Sequence, residues 1–221
     1  MTDIVTQEPG SSDRRPNILD EIGPIRIRTM TNSKTDCQFL SEMKVEADRD
    51  KYIHATSKGS LSTITWVMSR NHEEQQSWFY DRNFIADYNN EPTGILSLVF
   101  PGDPDPIQMD LDTDFGCTEQ CGLCCLKRGL DGTVPEGSMY IKHLYVLESF
   151  RNKGIGEKLL DKAESEAKTR NISVMFLYVS FGNRAKQLYL RQGYSVVSQT
   201  WCCLWCAMGS CCFYKMEKRV P

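Results

Sequence analysis

The spacing of apolar and polar residues predicts strands and helices from residue 25 onward. Residues 25–28 alternate apolar and basic side chains, which indicates a first strand. Phe39, Leu40 and Met43 fall at helical spacing after Asn32 or Ser33, either of which can cap a helix that begins at Lys34. Residues 50–70 are ambiguous, and residues 73–80 predict a second helix. Residues 84–88 and 94–100 predict a hairpin.

The second half of the chain has the clearer pattern. The apolar stretches 140–147 and 173–179 predict strands, and the segments 157–170 and 183–191 predict helices. One buried helix face is formed by Ile155, Leu159, Leu160, Ala163 and Ala167. Residues 194–206 and 211–219, joined by a turn at 208–210, predict a final hairpin. A strand-helix-strand crossover among hairpins indicates a mixed α/β sheet.

Two stretches depart from these patterns. Residues 1–24 are rich in Pro, Gly, Ser and charge, and we expect a disordered tail. Residues 101–137 form an acidic connection rich in Pro, Gly and Asp that also contains cysteines. A connection of this length is typically an insertion on a scaffold. The expected organisation is therefore one domain over residues 25–219 with an insertion at 101–137.

Composition narrows the functional classes. The chain has 221 residues, 40% of them hydrophobic, and a net charge of −3, which argues against general nucleic-acid binding. No apolar run reaches the length of a membrane span. The first ten residues lack the basic and apolar regions of a secretory signal. We therefore expect a cytoplasmic or nuclear protein whose ten cysteines are reduced.

The strongest candidate site is a glycine-rich turn. Arg151, Gly154 and Gly156 form R-x-x-G-x-G between the strand 140–147 and the helix 157–170. Glycines allow a close approach to the backbone, and the free N–H groups at a helix N-terminus bind phosphate. Taken alone, the motif is equally typical of a surface turn that caps a helix.

Two motifs in register resemble a known family. Leu144-Tyr145-Val146 followed by R-x-x-G-x-G resembles the acetyl-CoA signature of the GNAT superfamily of N-acyltransferases. The downstream match is Leu177-x-Val179-x-x-x-Asn183-x-Ala185-x-x-x-Tyr189-x-x-x-Gly193-Tyr194. The resemblance implies a mostly antiparallel sheet of six to seven strands with flanking helices. It also implies direct acetyl transfer from acetyl-CoA to a primary amine, which would be a protein N-terminus, a lysine or a small amine.

The resemblance also assigns roles to individual residues. The Leu144 N–H would polarise the thioester carbonyl, and residues 144–146 would line the pantetheine arm. Asn183 and Tyr189 would lie near the sulfur, with Tyr189 as the proton donor to the departing thiolate; a core tyrosine is the alternative. The residues that would hold the pyrophosphate are Arg151, Asn152, Lys153, Gly154, Ile155 and Gly156.

The base that deprotonates the acceptor amine is less clear. Relatives place a base near the start of the signature strand, where this chain has Tyr140 and Lys142. Tyr178 on the neighbouring strand is a further candidate, acting through a water. His143 has a suitable pKa, but simple strand alternation puts it on the face opposite Tyr140 and Lys142. Tyr140 and Tyr178 are the expected catalytic partners of Tyr189.

The cysteines suggest weaker alternatives. Cys121-x-x-Cys124 and Cys203-x-x-Cys206 match zinc spacing, but the expected fold puts the two pairs at opposite ends of the sheet, so we expect no metal. The Cys- and Trp-rich hairpin 201–214 is a candidate acceptor wall or partner surface. Two other functions stay open: an acyl-CoA sensor without catalysis, and a scaffold that binds a partner.

Overall fold

The computed structural model describes residues 24–104, 115–130, 133–201 and 212–221. The strands are β1 Ile25–Thr29, β2 Asn83–Tyr88, β3 Glu91–Val99, β4 Ser138–Val146, β5 Val174–Ser180, β6 Ser195–Trp201 and β7 Cys212–Arg219. The helices are α1 Lys34–Ala47, α2 Arg49–Ala55, α3 Leu61–Glu73, α4 Ser77–Tyr80, α5 Cys117–Leu130, α6 Ile155–Thr169 and α7 Ala185–Arg191.

The strands form one sheet in the order β1-β2-β3-β4-β5-β7-β6. Neighbouring strands run antiparallel except β4 and β5, which are parallel. The parallel pair follows from the α6 crossover, since a strand that returns through a helix enters the sheet in its original direction. The prediction of a mixed, mostly antiparallel α/β sheet with flanking helices is confirmed, and the described residues contribute seven strands to it.

Helices cover both faces of the sheet. The first face packs against α6 and α7. The fully buried side chains there are Leu96, Met139, Met175 and Met216 of the sheet and Leu159 of α6, among others. The second face packs against α1, where Leu40 and Met43 meet Ile85 and Ile95. Apolar side chains fill both faces, so the sheet lies between two layers of helices.

The helices before β2 differ from the prediction. The ambiguous segment contains α3, whose Leu61, Ile64, Val67 and Met68 are buried at helical spacing. The predicted helix over 73–80 is wrong in its first half, because α3 ends at Glu73 and only Ser77–Tyr80 forms the short helix α4. The helical spacing of these four buried residues therefore explains why the chain forms a helix there.

The expected insertion at 101–137 contains helix α5, which packs against α2. At Gly122 a Cβ would lie 1.8 Å from the carbonyl oxygen of Ala55, so the two backbones meet without a side chain between them. The expected turn at 208–210 and most of the Cys- and Trp-rich hairpin lie outside the described residues, as does the expected tail.

Candidate functional site

The β4 and β5 strands separate after three residues. Their ladder joins Ser138–Tyr140 to Val174–Phe176 and ends there, although β4 continues to Val146 and β5 to Ser180. Beyond Tyr140, β4 pairs with β3 on its other side, with Leu144 opposite Leu96 and Val146 opposite Gly94. The segment 144–146 therefore has one ladder edge that no described strand covers, which is where an extended ligand arm can pair with backbone.

The glycine-rich turn lies at the end of this same strand. Glu148–Phe150 forms a short 3-10 turn, and α6 begins at Ile155. Gly154 occupies the N-cap position with φ +83°, and no side chain caps the helix. The first amides of α6 are thus available to an anion, and a residue with a Cβ at position 154 would be strained.

Two cations flank the turn. The Arg151 Nε donates to the Val146 carbonyl oxygen at 3.3 Å, and its guanidinium is 3.4 Å from Glu148. The Lys153 ammonium lies 5.0 Å from the ring centroid of Phe150 and 4.8 Å from that of Tyr88. Both cations remain near the helix N-terminus, so the turn could hold an anion such as a diphosphate.

Tyr189 is buried among the residues of the α6 face. Its ring packs against Tyr194 at 6.0 Å, and burial raises its pKa to about 12. The phenol therefore stays protonated over the physiological pH range and can act as a donor. Asn183 is exposed, and its Oδ1 accepts a hydrogen bond from the Ala185 N–H at 2.9 Å. This bond supports the start of α7, so in this structure the Asn183 carboxamide has a structural partner.

Tyr140 and Tyr178 lie side by side on the second face. The Tyr140 ring stacks on Phe176 at 5.1 Å, and the Tyr178 ring meets it edge-on at 5.8 Å. Tyr178 is about half exposed. The sequence-predicted pair of tyrosines is thus brought together at the point where β4 and β5 separate.

The placement of His143 by strand alternation is wrong. The register between β3 and β4 shifts at Ser97, because Leu98 pairs with Ile141 while Ser97 pairs with His143. This bulge inserts one residue, so Ile141 and Leu144 both point to the α6 face. His143 consequently points to the second face, the same face as Tyr140.

The second face also contains charged residues that the sequence did not indicate. Asp48, between α1 and α2, has its Oδ2 3.5 Å from the His143 Nε2. It also accepts a hydrogen bond from Lys51. Burial acts to raise the pKa of Asp48, but its contacts with His143 and Lys51 outweigh burial and hold that pKa well below its usual range. The sequence pattern gives no indication of this contact of Asp48, because the contact depends on the bulge that turns His143 toward it.

A groove of about 770 Å³ opens on the second face between α1, α3 and the end of β4. Tyr145 and Leu147 contribute apolar surface to it. Its charged lining residues are Glu42, Glu46, Arg49 and Glu148. Arg49 is already paired with Glu46 at 2.9 Å.

The described residues contain no group of three His, Cys, Asp or Glu side chains that could hold a metal ion. Cys121 and Cys124 are exposed on α5, while their suggested zinc partners Cys203 and Cys206 lie outside the described residues. In the part of the chain that the structure describes, no helix is long and apolar enough to cross a membrane.

The chain is similar to known proteins both in sequence and in fold. Residues 60–194 match the model of the Acetyltransferase (GNAT) family. Similar solved structures include an acetyltransferase at 22% identity, covering 89% of this chain and 100% of that one, with a TM-score of 0.60. The PaiA N-acetyltransferase from Thermoplasma acidophilum, in complex with coenzyme A, has 18% identity, coverage of 88% and 98%, and a TM-score of 0.54. Ard1 from Thermoplasma volcanium has 13% identity, coverage of 90% and 99%, and a TM-score of 0.55. No curated protein matches the chain.

The fold and the family match together define an acyl-CoA-dependent transferase. The family match covers more than half of the chain. The chain therefore belongs to the GNAT family of acetyltransferases, and the family predicted from the two sequence motifs is confirmed.

Proposed function

We propose that this protein transfers the acetyl group of acetyl-CoA directly to a primary amine, which is a protein N-terminus, a lysine or a small amine. The observation that carries the proposal is the end of the β4–β5 ladder at Tyr140 and Phe176, followed on the same strand by the glycine turn that opens α6. An acyl-CoA has a long pantetheine arm followed by a diphosphate. The open edge of β4 would pair with the arm, and the glycine turn after it would hold the diphosphate.

The residues for binding acetyl-CoA lie along one path. Backbone groups of Leu144, Tyr145 and Val146 would pair with the arm, and the amides of residues 151–156 would hold the pyrophosphate. The coenzyme A complex of PaiA N-acetyltransferase and the acetyl-CoA complex of yncA from Salmonella typhimurium, which share this fold, support that choice of ligand. The structure of yncA matches this chain with a TM-score of 0.51 and 16% sequence identity.

The bound co-substrate supplies an acetyl group as a thioester. The Leu144 N–H would polarise the thioester carbonyl, as a single oxyanion donor. The Tyr189 hydroxyl would protonate the departing thiolate, and its raised pKa keeps that proton in place beforehand. Tyr140 and Tyr178 are the candidate bases for the acceptor amine, with Tyr178 acting through a water.

The test is thiol release from acetyl-CoA across a panel of peptide N-termini, lysine peptides, polyamines and small amines. We expect amine-dependent release with at least one class, and mass spectrometry should find the acetyl group on the acceptor nitrogen. Tight binding of acetyl-CoA with no turnover on any amine would instead support an acyl-CoA sensor.

A further inference from the structure

The carbonyl group of Val146 points to the open edge of β4, the edge that no described strand covers beyond Tyr140. Val146 lies opposite Gly94 in the ladder with β3. The next residue, Leu147, donates its N–H to the Thr93 carbonyl oxygen at 2.9 Å. In an antiparallel ladder such a bond flanks a pair whose own N–H and C=O groups point away from the partner strand. The N–H and C=O of Val146 therefore face the side that β5 has left.

The Arg151 side chain already occupies that carbonyl. Its Nε donates to the Val146 oxygen at 3.3 Å, so the side chain folds back from the glycine turn along the strand edge. Two further groups hold the guanidinium there. Its Cζ lies 5.7 Å from the centroid of the Tyr145 ring, and its Nη1 lies 3.4 Å from the Glu148 carboxylate. The Arg151 side chain is about half exposed, so it can change rotamer without disturbing the core.

A pantetheine arm that pairs with residues 144–146 would meet this side chain. An amide N–H of the arm that binds the Val146 oxygen would bring its nitrogen to about 3 Å from that oxygen. The Arg151 guanidinium lies in the same space. An acyl donor therefore has to displace a hydrogen bond and an exposed ion pair, and this displacement costs free energy unless the guanidinium finds another anion.

A diphosphate at the glycine turn would be that anion. Gly154 leaves the first amides of α6 without a side-chain cap, and Arg151 belongs to the same turn. An arginine that binds a phosphate makes a charge-assisted contact, which is stronger than a 3.3 Å hydrogen bond to a neutral carbonyl. A donor that ends with the pantetheine arm offers the guanidinium no such contact.

We propose that Arg151 selects acyl donors that carry a diphosphate, which are CoA thioesters, over pantetheine thioesters that lack it. The guanidinium covers the Val146 carbonyl and leaves it when a diphosphate binds the guanidinium instead. Glu148 is a positioning residue, because its carboxylate helps to hold Arg151 on the strand edge. This inference rests on the proposed binding of acetyl-CoA.

The test compares acetyl-CoA with S-acetylpantetheine, which has the same arm and thioester but no diphosphate. The Kd of each donor is measured by calorimetric titration of the wild type and of Arg151→Met, which loses the charge and the donors but keeps an unbranched side chain. We expect Arg151→Met to bind acetyl-CoA about tenfold more weakly and S-acetylpantetheine about fivefold more tightly. Where binding is too weak to titrate, kcat/KM for each donor gives the same comparison.

Lys153 provides the matched control. It is a second cation of the same turn, but its ammonium lies over the rings of Tyr88 and Phe150 rather than on the Val146 carbonyl. Lys153→Met should therefore weaken acetyl-CoA binding and leave the Kd of S-acetylpantetheine unchanged. A gain for S-acetylpantetheine in Lys153→Met as well would show a general effect of charge and would overturn the selection by Arg151.

Glu148→Gln tests the positioning role. It should tighten acetyl-CoA binding by roughly twofold to threefold when Arg151 is present, and by less in the Arg151→Met background. Glu157 is an exposed acid in the first turn of α6. Because Glu157 acts through its charge alone, Glu157→Gln should give the same change in both backgrounds. An equal gain from Glu148→Gln in both backgrounds would contradict the role of Glu148.

One result with a folded variant would overturn the selection outright. It is an Arg151→Met protein that binds S-acetylpantetheine no more tightly than the wild type does, since Arg151 would then not obstruct the arm. Absence of acetyl-CoA binding by the wild type would be a different failure, because it would overturn the proposed function itself.

Discussion

Tyr140 of β4 and Phe176 of β5 form the last paired positions between their strands, and their rings stack at 5.1 Å with 10° between the planes. On one side of this pair the sheet is continuous. On the other side the two strands separate, and β4 leads directly to the glycine turn and α6. The stacked pair therefore marks the boundary between the structural part of the sheet and the part that we assign to acetyl-CoA.

The first prediction concerns the proton donor. Replacing Tyr189 by Phe should lower kcat by about 10²–10⁴, because the thiolate would then leave without a positioned acid. Acetyl-CoA affinity should change little. The measurement is steady-state thiol release together with direct titration of acetyl-CoA.

Tyr194 is the matched control for Tyr189. It is buried next to Tyr189, and its hydroxyl has no hydrogen-bond partner among the described residues. Tyr194→Phe should therefore keep normal activity. Equal rates for Tyr189→Phe and wild type would remove Tyr189 from the mechanism.

The second prediction concerns the turn before α6. Gly154→Ala forces a Cβ onto a residue with φ +83°, so it should lose roughly 1–2 kcal/mol of stability. It should also weaken acetyl-CoA binding, since the amides after it would move. Gly102→Ala has the same kind of strain, at φ +75°, in an exposed turn. That variant should show the stability loss in urea unfolding but bind acetyl-CoA normally; equal affinities in both variants would contradict the assigned pyrophosphate site.

The third prediction concerns pH and stability. Burial, reinforced by the charge of Lys142, lowers the pKa of Lys44 to about 7. Between pH 7 and the ordinary lysine pKa, the unfolded chain binds a proton there that the folded chain does not. Folding stability from this group therefore rises with pH, by about 3 kcal/mol between pH 7 and 9.5.

Lys44→Met should lose that rise, while Lys34→Met, at an exposed position of the same helix, should keep it. Urea unfolding of the three proteins at pH 7 and pH 9.5 measures the difference. A Lys44→Met variant with the wild-type pH dependence would show that Lys44 is charged in the folded protein at neutral pH.

The fourth prediction concerns the insertion. Gly122→Ala places a methyl group against the Ala55 carbonyl, so α5 must move away from α2. We expect a net loss of about 1–3 kcal/mol, even though alanine favours a helix more than glycine does. At Gly116 a Cβ would meet nothing closer than 3.8 Å, so Gly116→Ala should be nearly neutral in thermal unfolding. A neutral Gly122→Ala would mean that α5 is not held by this contact.

The sequence predicted the parts of the site that depend on local patterns. The turn at Arg151, Gly154 and Gly156, the helix behind it and the crossover to β5 each have a short-range signal, and the structure has all three elements. The helix boundaries moved by about two residues, as is usual where caps and glycines compete.

The parts that depend on distant contacts could not be predicted. His143 changes face because β3 and β4 shift register, and that shift is a property of two strands together. Helix α5 lies in a stretch of the sequence that is typical of a loop, and it is held where Gly122 meets Ala55, far away in the chain. The disordered tail, the cytoplasmic or nuclear location and the partner surface at 201–214 stay predictions.

Amide hydrogen exchange with and without acetyl-CoA tests the central claim most directly. We predict slower exchange in peptides that cover residues 144–146 and 151–156, on the open edge of β4 and at the start of α6. Peptides from α5, which packs against α2, should not change. Tight binding that protects other segments and leaves these two unchanged would contradict the account.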